Sequence, residues 1–233
     1  SRVYLSFLIF SMVILSPKFK KPATLAAALL ISSALLAHNI NYALENAPTQ
    51  DIVLFYLLLG VEHIVPAGID HILFVIALCL LNNKLKTILW QATAFTVAHS
   101  ITLALSMKGI IVLPAAIVEP IIALSIVFVA VENILINELK AWRILIVFVF
   151  GLIHGLGFAS ALNEIGLPPN KFFTSILSFN LGVELGQVLV ILLSFFLLIL
   201  PFGKKVWYKK RVAYPISIAI ALVGLYWTFE RLF

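Results

Sequence analysis

Apolar runs, separated by short polar or basic clusters, divide the chain into eight segments: 3–16, 23–44, 52–82, 87–107, 114–137, 142–163, 172–202 and 212–232. A helix needs about 20 apolar residues to cross a hydrocarbon layer of about 30 Å. The pattern therefore predicts an all-α, polytopic membrane helix bundle. Six core transmembrane helices fall in residues 51–233, and residues 1–50 form a separate region with one or two N-terminal hydrophobic helices. Segment 3–16 is short and ends at Pro17. Segment 23–44 follows Lys18, Lys20 and Lys21 in the manner of a signal-peptide core, so residues 1–50 read as accessory helices or a targeting region.

One segment is too long for a single straight span. At 1.5 Å per residue, 52–82 would reach about 46 Å. It also contains Pro66-Ala67-Gly68. Proline removes a helical hydrogen bond and glycine relaxes the backbone. The first core helix is therefore expected to break near Pro66–Gly68, with a second helix starting at about Ile69. Broken helices at membrane depth line a cavity or a buried site, because the freed backbone groups need partners.

Composition supports the membrane reading: 63% of residues are hydrophobic and 11% charged, against roughly half and a quarter in soluble domains. The net charge of +6 does not point to nucleic acid, because the basic residues lie in clusters between apolar runs. With alternating sides, one set of loops holds twelve Lys and Arg (Lys18, Lys20, Lys21, Lys84, Lys86, Lys140, Arg143, Lys204, Lys205, Lys209, Lys210, Arg211). The other set holds four (Arg2, Lys108, Lys171, Arg231). This asymmetry predicts a multi-pass protein of the cell (inner) membrane with its Lys/Arg-rich loops cytoplasmic. The single Cys79 excludes an internal disulfide and a thiolate-rich metal site.

Ionisable residues cost about 2.5–3.5 kcal/mol each inside a bilayer on insertion scales. The spans nevertheless carry Glu62, His63, Asp70, His71, His99, Glu119, Glu132, His154 and Glu184. No Lys or Arg lies deep in these segments, so the acids are not expected to be halves of buried ion pairs. Protons, water, histidine or a metal cation must satisfy them instead. His63, Asp70 and His71 flank the expected break, and imidazole with carboxylate suits a divalent transition metal. The bland alternative has Asp70 capping a helix and His63 packed in the interior. At membrane depth the functional reading is preferred.

His99, His154 and Glu184 each lie about 12 residues into their segments, near mid-bilayer. Thr96, His99, Thr102 and Ser106 share one helix face, as do Asn180, Glu184 and Gln187. Glu184 is the expected ligand of the second stripe, with Asn180 and Gln187 orienting it or lining a path. Hydrogen bonding between helices is explanation enough for Thr96, Thr102 and Ser106. Gly151, Gly155 and Ala159, four apart, would let another helix approach closely beside His154. Glu119 precedes Pro120 and is read as a cation attractor at an outer mouth, or as a simple first-turn acid. His38, beside Asn39 and Asn41, reads as interfacial.

Several runs taken together are similar to one known family. They are Glu62 to His71, Thr93 to Leu103 (with Thr96, His99 and Ser100), Val118-Glu119 with Ala123-Leu124-Ser125, Phe150 to Ala161, and Phe179 to Gln187. Over about residues 52–200 the chain resembles the HupE/UreJ family, described as membrane accessory proteins of nickel hydrogenase and urease systems and regarded as nickel or cobalt permeases. The resemblance implies that His63, Asp70 and His71 handle the metal and that His154-Gly155 is the family's later His-Gly pair. The family signature has five residues between the first His and Asp-His, whereas six separate His63 from Asp70 here.

The reading that follows is a permease for nickel, cobalt or zinc. Its metal ligands are His63, Asp70, His71, His99, His154 and Glu184, supported by Glu119, Asn180, Gln187, Thr96 and Ser100. The partners are the metal ion and the lipid bilayer, with room for a homo-oligomer or an accessory subunit. The alternative is an intramembrane zinc hydrolase acting on a lipid or membrane peptide, with Glu119 or Glu184 as its catalytic acid or base.

Overall fold

A computed structural model describes residues 47–81, 84–136, 140 and 142–233. The hydrophobic segments 3–16 and 23–44, and His38, lie outside the described residues. Seven long helices build the rest: α1 (Thr49–Ile64), α2 (Ile69–Leu80), α3 (Leu85–Met107), α4 (Ala115–Leu135), α5 (Arg143–Ile165), α6 (Phe172–Ser194) and α7 (Tyr214–Leu232). No strand occurs among the described residues. Among the described residues, five helical stretches are long and apolar enough to cross a membrane. The bent pair α1–α2 makes a sixth span when counted as one.

Prolines and glycines set the boundaries. Pro48 and Pro114 precede α1 and α4, where a missing N–H costs nothing. Gly166, at φ 88°, ends α5, and Pro168 and Pro169 then lead into the 3₁₀ turn Pro169–Lys171 before α6. The expected break is present: α1 stops at Ile64, α2 starts at Ile69, and their axes differ by 68°.

The outward faces are apolar, as a lipid solvent requires. On α6 the exposed residues Leu177, Leu181, Leu185, Leu189 and Leu193 recur every four positions, which makes one continuous stripe. The inward faces are small. A Cβ on Gly60 would collide with the Phe179 carbonyl of α6, and one on Gly182 with the Leu57 carbonyl of α1, so α1 and α6 run side by side at near backbone contact. Gly151 and Gly155 do the same for α5 against Phe95 and His99 of α3. Without a hydrophobic drive between helices in lipid, such close approach supplies the packing energy.

The bundle has two polar ends. Tyr56 of α1 donates to the Gly166 carbonyl (2.7 Å), Lys171 reaches the Ala47 carbonyl, and Arg231 donates to the Glu119 carbonyl (3.2 Å). These contacts gather residues 47–49, the α5–α6 connection, the start of α4 and the end of α7 at one end, called here the cavity face. At the opposite, basic face, Lys209 donates to the Ile136 carbonyl (3.2 Å). Lys84, Lys86, Lys140, Lys204, Lys205, Lys210 and Arg211 also belong to this end by chain order. Arg143 does not join them in a loop. It is 1% exposed and pairs inside the bundle with Glu132 at 3.1 Å.

Candidate metal centre

The break in the first span creates the site. Because α1 ends half-way down α6, with Ile64 against Gly186, the backbone turns there and α2 departs at an angle. Gly68 occupies the turn, where a Cβ would strike the His63 carbonyl and come within 3.2 Å of the His71 ring. The result brings His63 and His71 to 4.7 Å between ring centroids.

His99 of α3 completes a group. One ring nitrogen from each of His63, His71 and His99 lies within 4.8 Å of the others. A tetrahedral site with metal–nitrogen bonds of 2.0–2.1 Å has an edge of about 3.4 Å. The three nitrogens thus stand about one small side-chain adjustment from coordination. His154 of α5 adjoins them, its Nδ1 3.4 Å from His71 Nε2, which is already at that edge length.

The hydrogen bonds around the rings fix which nitrogens are bare. Asn180 Nδ2 donates to the Ile176 carbonyl (2.8 Å), which turns its Oδ1 towards His99 Nδ1 at 3.0 Å. An amide oxygen only accepts, so the His99 proton sits on Nδ1 and Nε2 is bare. Asp70 Oδ1 stands 3.0 Å from His71 Nδ1, which places the proton there and bares Nε2. Ser125 Oγ spends its only proton on the Ile122 carbonyl (2.6 Å) and so accepts from His154 Nε2 (2.9 Å). That leaves His154 Nδ1 bare.

The close contact between His71 and His154 therefore faces two lone pairs towards each other. The buried Nε2 atoms of His63 and His99 have no hydrogen-bond partner. Buried polar groups without partners are costly, and imidazoles converging with bare nitrogens on His71, His99 and His154, beside the unpartnered His63 Nε2, could hold a cation. The partners Asp70, Asn180 and Ser125 orient the rings, as carboxylates and amides do behind metal-binding histidines.

A cavity of about 370 Å³ opens beside this cluster. Its wall includes His63, Gly68, Asp70 and His71 at the break, Glu119 and Ile122 of α4, His154, Gly157 and Phe158 of α5, and Arg231 of α7. Glu119 is exposed near the cavity face, so the space leads from that end towards the imidazoles.

Not every expected residue gathers here. Glu184 accepts from Thr93 Oγ1 (2.6 Å) on the seam between α3 and α6, and Thr96 Oγ1 donates to Gln187 Oε1 (3.0 Å) one step along it. Ser100 donates to the Thr96 carbonyl within its own helix (2.6 Å). Asp70 reaches the cluster through His71. Glu62 is exposed, and Glu132 lies towards the basic face. The expectation that no acid is half of a buried ion pair fails for Glu132, since Arg143 opens α5 inside the bundle rather than in the loop before it. Ser125 was not singled out by pattern. The usable signal was its position seven residues before Glu132, which places both on one face of α4.

The family described as HupE / UreJ protein matches residues 38–231, extending past the run of motifs at both ends. Neither the curated proteins nor the solved structures gave a match.

Proposed function

We propose, from the premise that the chain belongs to the HupE/UreJ family, that it passes a divalent transition metal ion through the bilayer by way of the imidazole cluster at the α1–α2 break. The ion is the cargo, of nickel, cobalt or zinc type, because neutral imidazoles favour the later metals. The observation that carries this reading is the 3.4 Å approach of His71 Nε2 to His154 Nδ1, whose other ring nitrogens face Asp70 and Ser125 and so leave this contact to two lone pairs.

His63, His71 and His99 bind the ion, and His154 adjoins them. Asp70, Asn180 and Ser125 hold the rings, while the Asp70 carboxylate lends negative charge to the site. Glu119 lines the cavity and draws cations into it. Glu184 and Gln187, beyond Asn180 on the same helix face, line an onward path from His99. The basic face is cytoplasmic by the excess of Lys and Arg at that end, so the cavity faces outward and the ion enters.

A second reading is favoured by one feature, the presence of Glu119 in the same cavity as the imidazoles. Three histidines, a metal-bound water and a nearby carboxylate are the parts of a zinc hydrolase. Purified full-length protein separates the two. Transport predicts exchangeable binding of nickel, cobalt or zinc, lost in His71→Ala, together with flux of the same ion into proteoliposomes. Tight, stoichiometric zinc without flux would favour the hydrolase. No binding of any of the three ions ends both.

A further inference from the structure

The half of the bundle next to the basic face carries a second polar group that the metal site does not use. Glu132 of α4 and Arg143 of α5 are 5% and 1% exposed and approach to 3.1 Å. Arg143 Nη2 also donates to Asn133 Oδ1 (3.3 Å), and Asn133 Nδ2 donates to the Ala77 carbonyl of α2 (2.8 Å) and to Ser217 of α7 (3.3 Å). One small cluster thus ties α2, α4, α5 and α7 together. It is incompletely satisfied: both carboxylate oxygens of Glu132 and Nε and Nη1 of Arg143 are buried without a hydrogen-bond partner, so the pair is held by charge alone.

Its position is specific. Glu132 lies seven residues beyond Ser125 on α4, and Ala77 six beyond His71 on α2, so the pair sits about 10 Å below the imidazoles. An apolar layer that includes Phe74, Ile126, Val129 and Val147 fills the interval. Cys79 is fully buried and close enough to Arg143 for the two to interact electrostatically.

Replacing such a pair by apolar residues is often neutral or stabilising, so packing alone does not explain it. Paired, the two groups neutralise each other and offer a divalent cation no free carboxylate, while separating them would loosen the junction of α2, α4, α5 and α7 and free Glu132 to receive it. We infer that the Glu132–Arg143 pair is the closure of the ion path at the basic face, opposite the open cavity. This rests on the transport reading. It adds the residues that keep the protein from being open at both ends.

Cys79, the single cysteine of the chain, reports on the closure directly. A membrane-impermeant thiol reagent is applied from the basic face to sealed vesicles holding the full chain. Wild type should react slowly. Glu132→Gln and Arg143→Gln should each react at least about tenfold faster, while the charge-swapped Glu132→Arg/Arg143→Glu protein returns towards the slow rate. Ala67→Cys in a Cys79→Ser background should react quickly from the cavity face. Metal stoichiometry, measured separately, shows whether each variant retains the imidazole site.

Wild-type rates in variants that retain the site would overturn the closure. So would rapid labelling of wild type from the basic face, a result that needs no variant to fold. Slow wild-type labelling in a protein that binds no metal would leave the barrier standing and remove the transport reading alone.

Discussion

The two halves of the bundle handle buried polarity in opposite ways. Towards the cavity face, four imidazoles converge, with Nε2 of His63 and of His99 lacking any hydrogen-bond partner, beside a space of about 370 Å³. Towards the basic face, Phe74, Phe95, Val129 and Val147 are packed to 1% exposure or less, and the charges present oppose each other. The same helices α2, α4 and α5 pass through both halves, so helix identity does not set the difference. The bend at Pro66–Gly68 does. It removes a continuous helix from one half and leaves room there, while α2 fills the other half with Phe74, Ala77 and Leu78.

The largest effect should come from the open half. His71→Ala removes the ring that touches both His63 and His154, and metal affinity measured by titration calorimetry should fall by about 100-fold or more, beyond the 10–100-fold typical of residues behind a ligand. Thermal stability without metal should fall by less than affinity does, because the His71 ring borders the open cavity on one side.

Phe74→Ala tests the other half. Its ring packs 5.2 Å from Phe95 and 5.5 Å from His154. The variant should lose on the order of 2 kcal/mol of stability in a detergent or lipid unfolding assay. That is less than in a water-soluble core, because lipid is as apolar as the space vacated. An equal loss of metal affinity would show that the halves are not separable.

Asn180→Leu keeps the bulk but leaves His99 Nδ1–H without its acceptor, freeing the ring to rotate or change tautomer. Metal affinity should drop by about tenfold, with His63 and His71 still able to bind. The smallest effect belongs to Tyr56→Phe. It deletes the 2.7 Å hydrogen bond to Gly166 at the cavity face and should cost about 0.5–1.5 kcal/mol of stability. Metal stoichiometry should be unchanged.

Much of this was legible in the chain. Segment length and Pro66-Ala67-Gly68 placed the break, and α2 begins at Ile69 as expected. The stripe of Gly151 and Gly155 signalled a close neighbour, and that neighbour is α3 at His99. Hydropathy assigns a charge at a segment end to the loop, yet Arg143 lies buried inside the bundle. Only a partner on another helix, Glu132, draws it inside. Glu184 shares a helix face with Asn180, yet Asn180 meets His99 while Glu184 meets Thr93. A face is about 100° wide, and a ligand needs to be placed within an ångström.

By itself the sequence determined what depends on local chemistry and on the solvent: apolar lengths set by the bilayer, a break set by proline and glycine, and ionisable groups too costly at that depth to be incidental. The tertiary structure decided which of those groups meet. Contacts between helices are fixed by glycine-scale backbone approach and by the proton each hydrogen bond spends, and neither is encoded in the spacing along any single helix.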